Sequence, residues 1–443
     1  MFRGFLFFVC FFWSFSLHAG GLIRDAEIEG ALREWVNPLI EAARLNPHQV
    51  KIYLIHDKSL NAFVTGGQNI YLHTGVIAEA SDAEHVLAVF AHELGHIAGG
   101  HLARMDEDLD SAIATQLIGF LVGIGTIAAG QVQAGAATLS ASQQIAERGF
   151  LSSIRKREAA ADEAAVRYLE HVGKSPQGMV EFMTLLQKRS RLYVGNIDPY
   201  AVTHPLTEER IKTMRHHLLT SPHQDAESSP AVRERYRRLR AKVIGFLYKP
   251  QEVYARYSES SAEIDSRYAR AIAYFRDHRE ADSFSLIDGL IAQEPNNPYF
   301  YELKGQFSFE LGRADEAVHY YEQALAREPA FKPLLRIALA QALIEKGGRE
   351  PLGRAIDELR GALSEETDNS LGWQLLSVAQ GRLGRYGLSA LAQAEKYILL
   401  RSYPQAIAQS KRAQDLLSDS EIQARRRAQD ILSLALSLNQ PPF

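Results

Sequence analysis

A pair of histidines at helical spacing is the first feature of the sequence that could do chemistry. His92 and His96 stand four residues apart in the run HELGH, with Glu93 between them. Side chains at positions i and i+4 of a helix share a face, so both imidazoles can bind one metal ion. Glu93 is rotated around the helix axis and can reach a water molecule on that metal without competing as a ligand. The pattern predicts a metal-dependent hydrolase with Glu93 as its general base.

A catalytic zinc site takes three protein ligands and leaves one position open, so a third ligand must come from elsewhere in the chain. The pattern H-E-x-x-H-x-x-G-x-x-H needs a histidine at position 102, but that residue is Leu102, and His101 is one position out of register. We interpret His101 as an ordinary histidine at a helix end. Glu158 and Asp162 offer carboxylates at i and i+4 of a later helix. One of them can bind the metal while the other orients a ligand histidine.

The kinds of ligand favour zinc, one ion per chain. Two imidazole nitrogens, one carboxylate oxygen and one water suit zinc best, although manganese or cobalt could substitute in vitro. Zinc would polarise the scissile carbonyl of a peptide and activate the water that Glu93 deprotonates. The predicted strand that ends near His73 would offer a backbone edge for an extended peptide.

The elements that must position these residues are mainly helices. Asp82 is placed to cap a long helix that carries both histidines and stops at Gly99 and Gly100. The apolar periodicity predicts further helices over residues 22–47 and 155–172, and short strands over residues 50–56 and 69–73. We therefore expect a domain of helices with a small β-sheet around the metal site.

The amino terminus has the three parts of a secretory signal. Arg3 precedes an apolar run over residues 5–17, and the small residues Ala19 and Gly20 follow. We expect a signal peptide over residues 1–19, cleaved near Ala19. Cys10 is the single cysteine and lies in the apolar run, so the exported chain would contain neither a disulfide nor a cysteine nucleophile. The net charge of −4 provides no basic field for nucleic acid.

Residues 117–130 form an apolar, glycine-rich stretch that could be taken for a membrane span. Its length falls short of the roughly 20 residues that a helix needs to cross a bilayer. A single crossing there would also put His96 and Glu158 on opposite sides of the membrane. Two alternatives stay open: a surface hairpin that covers the site and makes peripheral contact with a membrane, or a buried core helix.

Beyond residue 260 the pattern changes to repeats, which predict an α-solenoid. The spacing of the 34-residue tetratricopeptide unit fits seven positions: Tyr301, Gly305, Gly312, Ala317, Tyr321, Ala324 and Pro329. Looser units follow towards the carboxyl end. We therefore expect a zinc metalloprotease domain over residues 20–220, connecting helices over 221–259, and a tetratricopeptide-like domain over 260–443.

Four motifs resemble the gluzincin family of HtpX and the CAAX prenyl endopeptidases. They are NAFVTGG over 61–67, HELGH over 92–96, REAAAD over 157–162 and THPLTEER over 203–210. The resemblance implies three metal ligands, a base and an orienting carboxylate: His92, His96 and Glu158, then Glu93, then Asp162. The transmembrane helices of HtpX are not found here, whereas an export signal and repeats are. The chain is therefore more similar to periplasmic members of the family.

That likeness also implies a biological role, namely quality control of outer-membrane β-barrel proteins. The protease would assist their assembly and degrade misfolded or stalled molecules, and the repeats would contact these clients or the barrel assembly machinery. A chaperone or adaptor with a largely structural zinc site is the alternative. The intact base at Glu93 argues against it, because a structural site needs no base.

His204 lies in the last of the four motifs and precedes Pro205, which favours an extended backbone for it. The resemblance implies that this segment lies beside the metal, which makes His204 a third candidate catalytic residue with Glu93 and Asp162. Two roles stay open for it. The imidazole could donate a hydrogen bond to the oxyanion of the reaction, or it could occupy the open metal position and keep the protease off.

Overall fold

A computed structural model describes residues 21–105, 113–114, 116–118, 120–122, 132–190, 200 and 203–439. The predicted signal peptide and, within the 117–130 stretch, residues 119 and 123–130 lie outside these residues. The described chain divides into two compact units. The first comprises residues up to Ile23 and Val36–Arg233, and the second comprises Arg24–Trp35 and the residues from Glu234 onward. The predicted domain bounds at 220 and 260 stay a prediction.

The first unit contains a four-stranded sheet in the order β1-β2-β4-β3. The middle strands β2 and β4 are parallel, and both outer pairings are antiparallel. The strands are β1 Leu22–Ile23, β2 Lys51–Ile55, β3 Ala62–Thr65 and β4 Asn69–His73. The strand that ends at His73 is paired on both sides, so the prediction that it offers a free edge was wrong. Within the described sheet, β1 and β3 are the edge strands, and β3 is the one next to β4.

Helices accompany this sheet in the described part of the unit, and the helix over Ala83–Ala98, α3, is the one that its sequence defines best. The Asp82 side chain accepts a hydrogen bond from the backbone N–H of Glu84, and Gly99 ends the helix, as predicted. Most of α3 is buried, which agrees with its nearly continuous apolar sequence. The helices are α1 Ala26–Ala42, α2 Thr74–Glu79, α3 Ala83–Ala98, α4 Val132–His171, α5 Gln177–Ser190 and α6 Glu208–Thr220.

The two helices that carry the site approach each other closely at Gly95. A Cβ atom there would lie 2.8 Å from the carbonyl oxygen of Ala161 in α4. Real carbon atoms do not come that close, so only glycine permits this crossing of α3 and α4. The crossing brings the middle of α4 against the histidine face of α3.

No helix among the described residues has the length and apolar content that a membrane crossing requires. The described part of the 117–130 stretch is helical, and its apolar side chains, Leu121 among them, are largely exposed. That exposure argues against the buried core helix. The membrane contact of this stretch stays a prediction.

The second unit consists of helical hairpins of the tetratricopeptide type. Gly305 shows why small residues recur in them, because a Cβ atom at this position would lie 3.0 Å from the ring of Tyr321 in the paired helix. The helices are α7 Pro230–Leu247, α8 Pro250–Arg256, α9 Ile264–Arg276, α10 Glu280–Gln293, α11 Pro298–Glu310, α12 Ala314–Leu325, α13 Lys332–Lys346, α14 Arg349–Glu365, α15 Ser370–Arg382, α16 Tyr386–Leu399, α17 Tyr403–Leu416 and α18 Ile422–Leu438. The predicted fold class is confirmed.

The beginning of α1 belongs to this second unit, through a buried ionic cluster. The carboxylate of Glu27 is fully buried and accepts hydrogen bonds from Arg238 Nε at 2.8 Å and from the Tyr268 hydroxyl at 2.9 Å. The ammonium group of Lys242, also buried, lies 3.4 Å from the same carboxylate and 2.7 Å from that of Asp25. Residues 24–35 are therefore an integral part of the repeat unit.

Candidate metal centre

His92 and His96 project from one face of α3, as their spacing predicts. Their Nε2 atoms are 3.0 Å apart. Glu158 reaches the same point from α4, with its carboxylate oxygens 3.4 Å from His92 Nε2 and 3.3 Å from His96 Nε2. With His204, these side chains offer four candidate ligand atoms that all lie within 4.8 Å of one another. Such a cluster of imidazoles and a carboxylate has the composition of a zinc site.

Asp162 lies one helical turn beyond Glu158 and faces the other side of the first histidine. Its Oδ1 atom is 2.9 Å from His92 Nδ1. A carboxylate at this position favours the tautomer of His92 with hydrogen on Nδ1, which leaves the Nε2 lone pair for a metal. The residue spacing alone did not show which of the two carboxylates would face the metal. In the structure Glu158 lies at the Nε2 atoms of both histidines, whereas Asp162 lies at Nδ1 of His92.

Arg210 of α6 is a site residue to which the sequence reasoning assigned no role. Its guanidinium binds Asp162 in a bidentate manner, at 2.7 and 2.8 Å, and contacts a Glu158 oxygen at 2.9 Å. The helix cap at Thr207 fixes the backbone from which Arg210 projects, because the threonine hydroxyl accepts a hydrogen bond from the Arg210 N–H. Arginine is rarely buried unless its charge is paired, but the sequence gives no sign that Arg210 is buried.

His204 lies over the cluster. Its Nδ1 atom is 3.2 Å from both oxygens of Glu158, and its Nε2 atom is 3.2 Å from the carbonyl oxygen of Ala62 in the edge strand β3. The backbone N–H of His204 donates to the carbonyl of Tyr200 at 2.7 Å, which holds the segment in place. The side chain is thus positioned both towards the candidate ligands and beside the edge at which a peptide could bind.

Glu93 is fully buried at the centre of the site. Neither of its carboxylate oxygens has a hydrogen-bond partner among the described residues. The imidazole of His204 faces this carboxylate, with Nε2 at 3.4 Å from Glu93 Oε1. Burial of an unpaired carboxylate lowers the free energy of unfolding, so a carboxylate that is buried in this way indicates a function.

The electrostatics of the site suit a divalent cation. Burial alone would lower the pKa of His92, but the carboxylates of Asp162 and Glu158 raise it to about 10. Burial alone would raise the pKa of the Glu158 carboxyl, but hydrogen bonds from His204, His92 and His96 hold it well below its usual value. Metal binding displaces protons from its ligands, so a centre that holds a proton this firmly can hold a cation instead.

The balance of charge leads to the same conclusion. Three buried carboxylates (Glu93, Glu158 and Asp162) face one guanidinium, that of Arg210, which leaves a net charge of minus two when the histidines are neutral. One divalent cation would neutralise the group, and buried charges require such compensation. The residues therefore fit a metal of the zinc type.

A cavity of about 670 Å³ opens beside Glu93, His96 and His204. Most of its wall is apolar, and the edge strand β3 contributes to it through Phe63 and Val64. The remaining apolar wall comes from α3, α4 and the segment between them, with Ile97, Leu102, Ala103, Met105, Phe150 and Ile154. An extended chain with apolar side chains could pair with β3 and fill this cavity.

These features define a metallopeptidase. Residues 26–218 match the model of peptidase family M48. The predicted hydrolase class is confirmed.

Over most of its length the chain is similar to β-barrel assembly-enhancing proteases. It is 26% identical to the protein of that name from Yersinia pestis over 406 residues, which cover 89% of this chain and 80% of the relative. The Escherichia coli (strain K12) protein is 25% identical over 387 residues, with 85% and 77% covered. The metalloprotease LoiP of the same strain is 28% identical over 176 residues, which cover 38% of this chain and 62% of that protein. The predicted resemblance is confirmed.

Proposed function

We propose that this chain is a zinc-dependent endoprotease of the periplasm that acts in the assembly and quality control of outer-membrane β-barrel proteins. It degrades misfolded or stalled clients, and its repeat unit recruits these clients or the assembly machinery. One observation carries the enzymatic part: the convergence of His92, His96 and Glu158 beside the buried carboxylate of Glu93, which has no hydrogen-bond partner in the described part of the chain. The names of the relatives support the choice of client.

In this proposal His92, His96 and Glu158 hold the metal, and Asp162 and Arg210 orient two of these ligands. A zinc ion held there would polarise the scissile carbonyl and activate a water molecule. Glu93 accepts a proton from that water and passes it to the leaving amine. Among the described residues no hydrogen bond to Glu93 competes with that water, which supports this role because both carboxylate oxygens are available to it.

The peptide itself would bind along β3. No strand of the described residues pairs with the outer edge of β3, so that edge can form a backbone ladder with an extended chain, and the apolar cavity beside it accepts aliphatic or aromatic side chains. A segment must be unfolded to bind in this way, so folded proteins are poor substrates. This selectivity agrees with a protease that removes misfolded clients.

His204 would regulate the site in its resting state. We favour its imidazole as a fourth metal ligand, because Nδ1 points to Glu158 and lies 3.4 Å from His92 Nε2. Four protein ligands leave no position for the catalytic water. Movement of the segment that carries His204 would then switch the protease on. The oxyanion role remains the alternative, since the same imidazole lies beside the peptide edge.

Metal analysis and proteolysis of the purified full-length chain test the proposal. We expect about one zinc per chain, cleavage of casein that EDTA abolishes and zinc restores, and loss of both metal and cleavage in His96→Ala. His216→Ala is the control, because that histidine is exposed on α6. Stoichiometric metal without any proteolysis by the wild type would instead favour the chaperone with a structural zinc site.

Clients can be trapped with Glu93→Gln, which should bind substrates without cleaving them. We expect precursors of outer-membrane β-barrel proteins to be enriched on this variant in cells. The double variant with His96→Ala serves as the control for binding that does not depend on the metal site. Equal recovery of unrelated exported proteins would contradict the proposed client class.

A further inference from the structure

The segment that follows α3 turns back towards the metal site. Gly99 ends the helix, Gly100 adopts a positive φ of 62°, and His101 then lies against His96. The Nδ1 atoms of His101 and His96 are 3.0 Å apart, within hydrogen-bond distance, and their rings are nearly perpendicular. The side chain of His101 is buried, with 8% of the residue exposed. This geometry corrects its interpretation as an ordinary histidine at a helix end.

Gly99 is needed for the space that it leaves beside His101 and not for its backbone conformation. Its φ of −73° and ψ of −10° are helical values that any residue adopts, so the backbone does not require glycine here. A Cβ atom at Gly99 would, however, lie 2.4 Å from Nε2 of His101. The missing side chain therefore makes room for the imidazole of His101.

The hydrogen bond between the two histidines has a defined direction once His96 binds through Nε2. That atom faces His92 and Glu158 and must present a lone pair. The hydrogen of neutral His96 then resides on Nδ1, and Nδ1–H donates to the lone pair of His101 Nδ1. Asp162 is placed in the same way at Nδ1 of His92.

We propose that His101 is a positioning residue that accepts this hydrogen bond and so directs Nε2 of His96 at the metal, and that Gly99 lacks a side chain in order to admit the His101 ring. The inference rests on the proposed metal site. It assigns to the second ligand histidine a partner that corresponds to the one Asp162 provides for the first. Outer partners of this kind fix both the tautomer and the orientation of a ligand.

Metal affinity measured by chelator competition tests the proposal without reference to proteolysis. We expect His101→Leu to weaken zinc binding by roughly 10–100-fold, as loss of such a partner does. His101→Asn should restore most of the affinity, because its amide oxygen stands near the place of Nδ1 and can accept the same hydrogen bond. The visible absorption of the cobalt-substituted protein should change in His101→Leu and resemble wild type in His101→Asn.

Gly99→Ala provides an independent route to the same contact. It should weaken zinc binding to a similar extent, and the double variant with His101→Leu should be no weaker than either single variant, because both act through one ring. Gly149→Ala is the matched control, since a Cβ atom at that helical glycine meets nothing within 4 Å. Its zinc affinity should equal that of wild type.

The outcomes separate this inference from the proposed function. Wild-type zinc affinity in His101→Leu, or additive losses in the double variant, would overturn the role of His101 and leave the metal site intact. A lower melting temperature of the metal-free variants with unchanged affinity would reduce His101 to a structural residue and likewise overturn the proposal. Failure of the wild type to bind stoichiometric metal would overturn both.

Discussion

Replacement of Glu93 by glutamine should make the metal-free protease more stable while it destroys its activity. Glu93 is fully buried, its two oxygens lack hydrogen-bond partners among the described residues, and a second carboxylate, that of Glu158, shares the site. An unsatisfied buried polar group costs about 1–3 kcal/mol, and a charged one costs more. The neutral amide retains the shape and removes the charge. We therefore expect the free energy of unfolding to rise by about 1–3 kcal/mol.

The increase in the free energy of unfolding should depend on whether the metal is bound. A divalent cation offsets the charge of Glu93, so the carboxylate is costly only when the cation is absent. The advantage of Glu93→Gln should accordingly shrink in the zinc-loaded protein. Cleavage of casein should fall by about 10²–10⁴-fold, the contribution typical of a general base.

Thermal and urea unfolding of the metal-free and zinc-loaded chain measure both effects. The chain has two compact units, so it need not unfold in one step. The transition that zinc shifts upward identifies the protease unit, because a ligand stabilises the unit that binds it. An increase of 1 kcal/mol corresponds to about 2–4 °C for a unit of this size.

Glu163→Gln is the matched control, since this glutamate lies on α4 with an exposed side chain. It should change stability by less than about 0.5 kcal/mol and leave cleavage intact. A metal-free Glu93→Gln protein that is less stable than wild type would refute the argument that the carboxylate is unsatisfied. Undiminished cleavage by this variant would refute its role as base.

Three further predictions concern other residues of the two units. His204→Ala should retain zinc and cleave casein and itself faster than wild type, whereas lower turnover at unchanged metal content would favour the oxyanion role. Asp162→Asn should lower zinc affinity or activity by roughly 10–100-fold in chelator competition and casein assays, and equality with wild type in both would contradict its orienting role. Glu27→Ala should destabilise the repeat unit by about 3–5 kcal/mol in urea unfolding, because it removes the fully buried carboxylate that binds Arg238 and faces Lys242. Glu34→Ala, which removes a more exposed ion pair from the same helix, should cost less than about 1 kcal/mol, and equal losses would show that burial is not the cause.

The sequence predicted α3 well because every local signal agreed there. The cap at Asp82, the apolar run and the glycines at the end all favour one helix, and the histidine spacing then determines one face. The strands β2 and β4 were predicted equally well from the sequence, since each is a β-branched, alternating segment of five residues. These elements depend on local chemistry, which a single sequence displays.

The features that the sequence concealed depend on contacts between distant segments. The strand β3 has only four residues and ends at Thr65, before Gly66 and Gly67, so its own pattern is too short to define an edge. Arg210 is one arginine among many until α6 brings it to the carboxylates of α4. The periodicity of α1 predicted a helix correctly, but an amphipathic pattern does not specify which unit covers its apolar face.

Gly95 within α3 and Gly99 at its end have structural roles of their own beside the metal-ligand pattern HELGH. Gly95 admits the backbone of α4 at Ala161, and thereby brings the carboxylates of Glu158 and Asp162 to the histidines. Gly99 admits the ring of His101, and thereby gives His96 a partner at Nδ1. The histidines offer the nitrogen ligands of the proposed metal site, and the two missing side chains determine what can approach them. The arrangement of the site therefore depends on these glycines as well as on its charged groups.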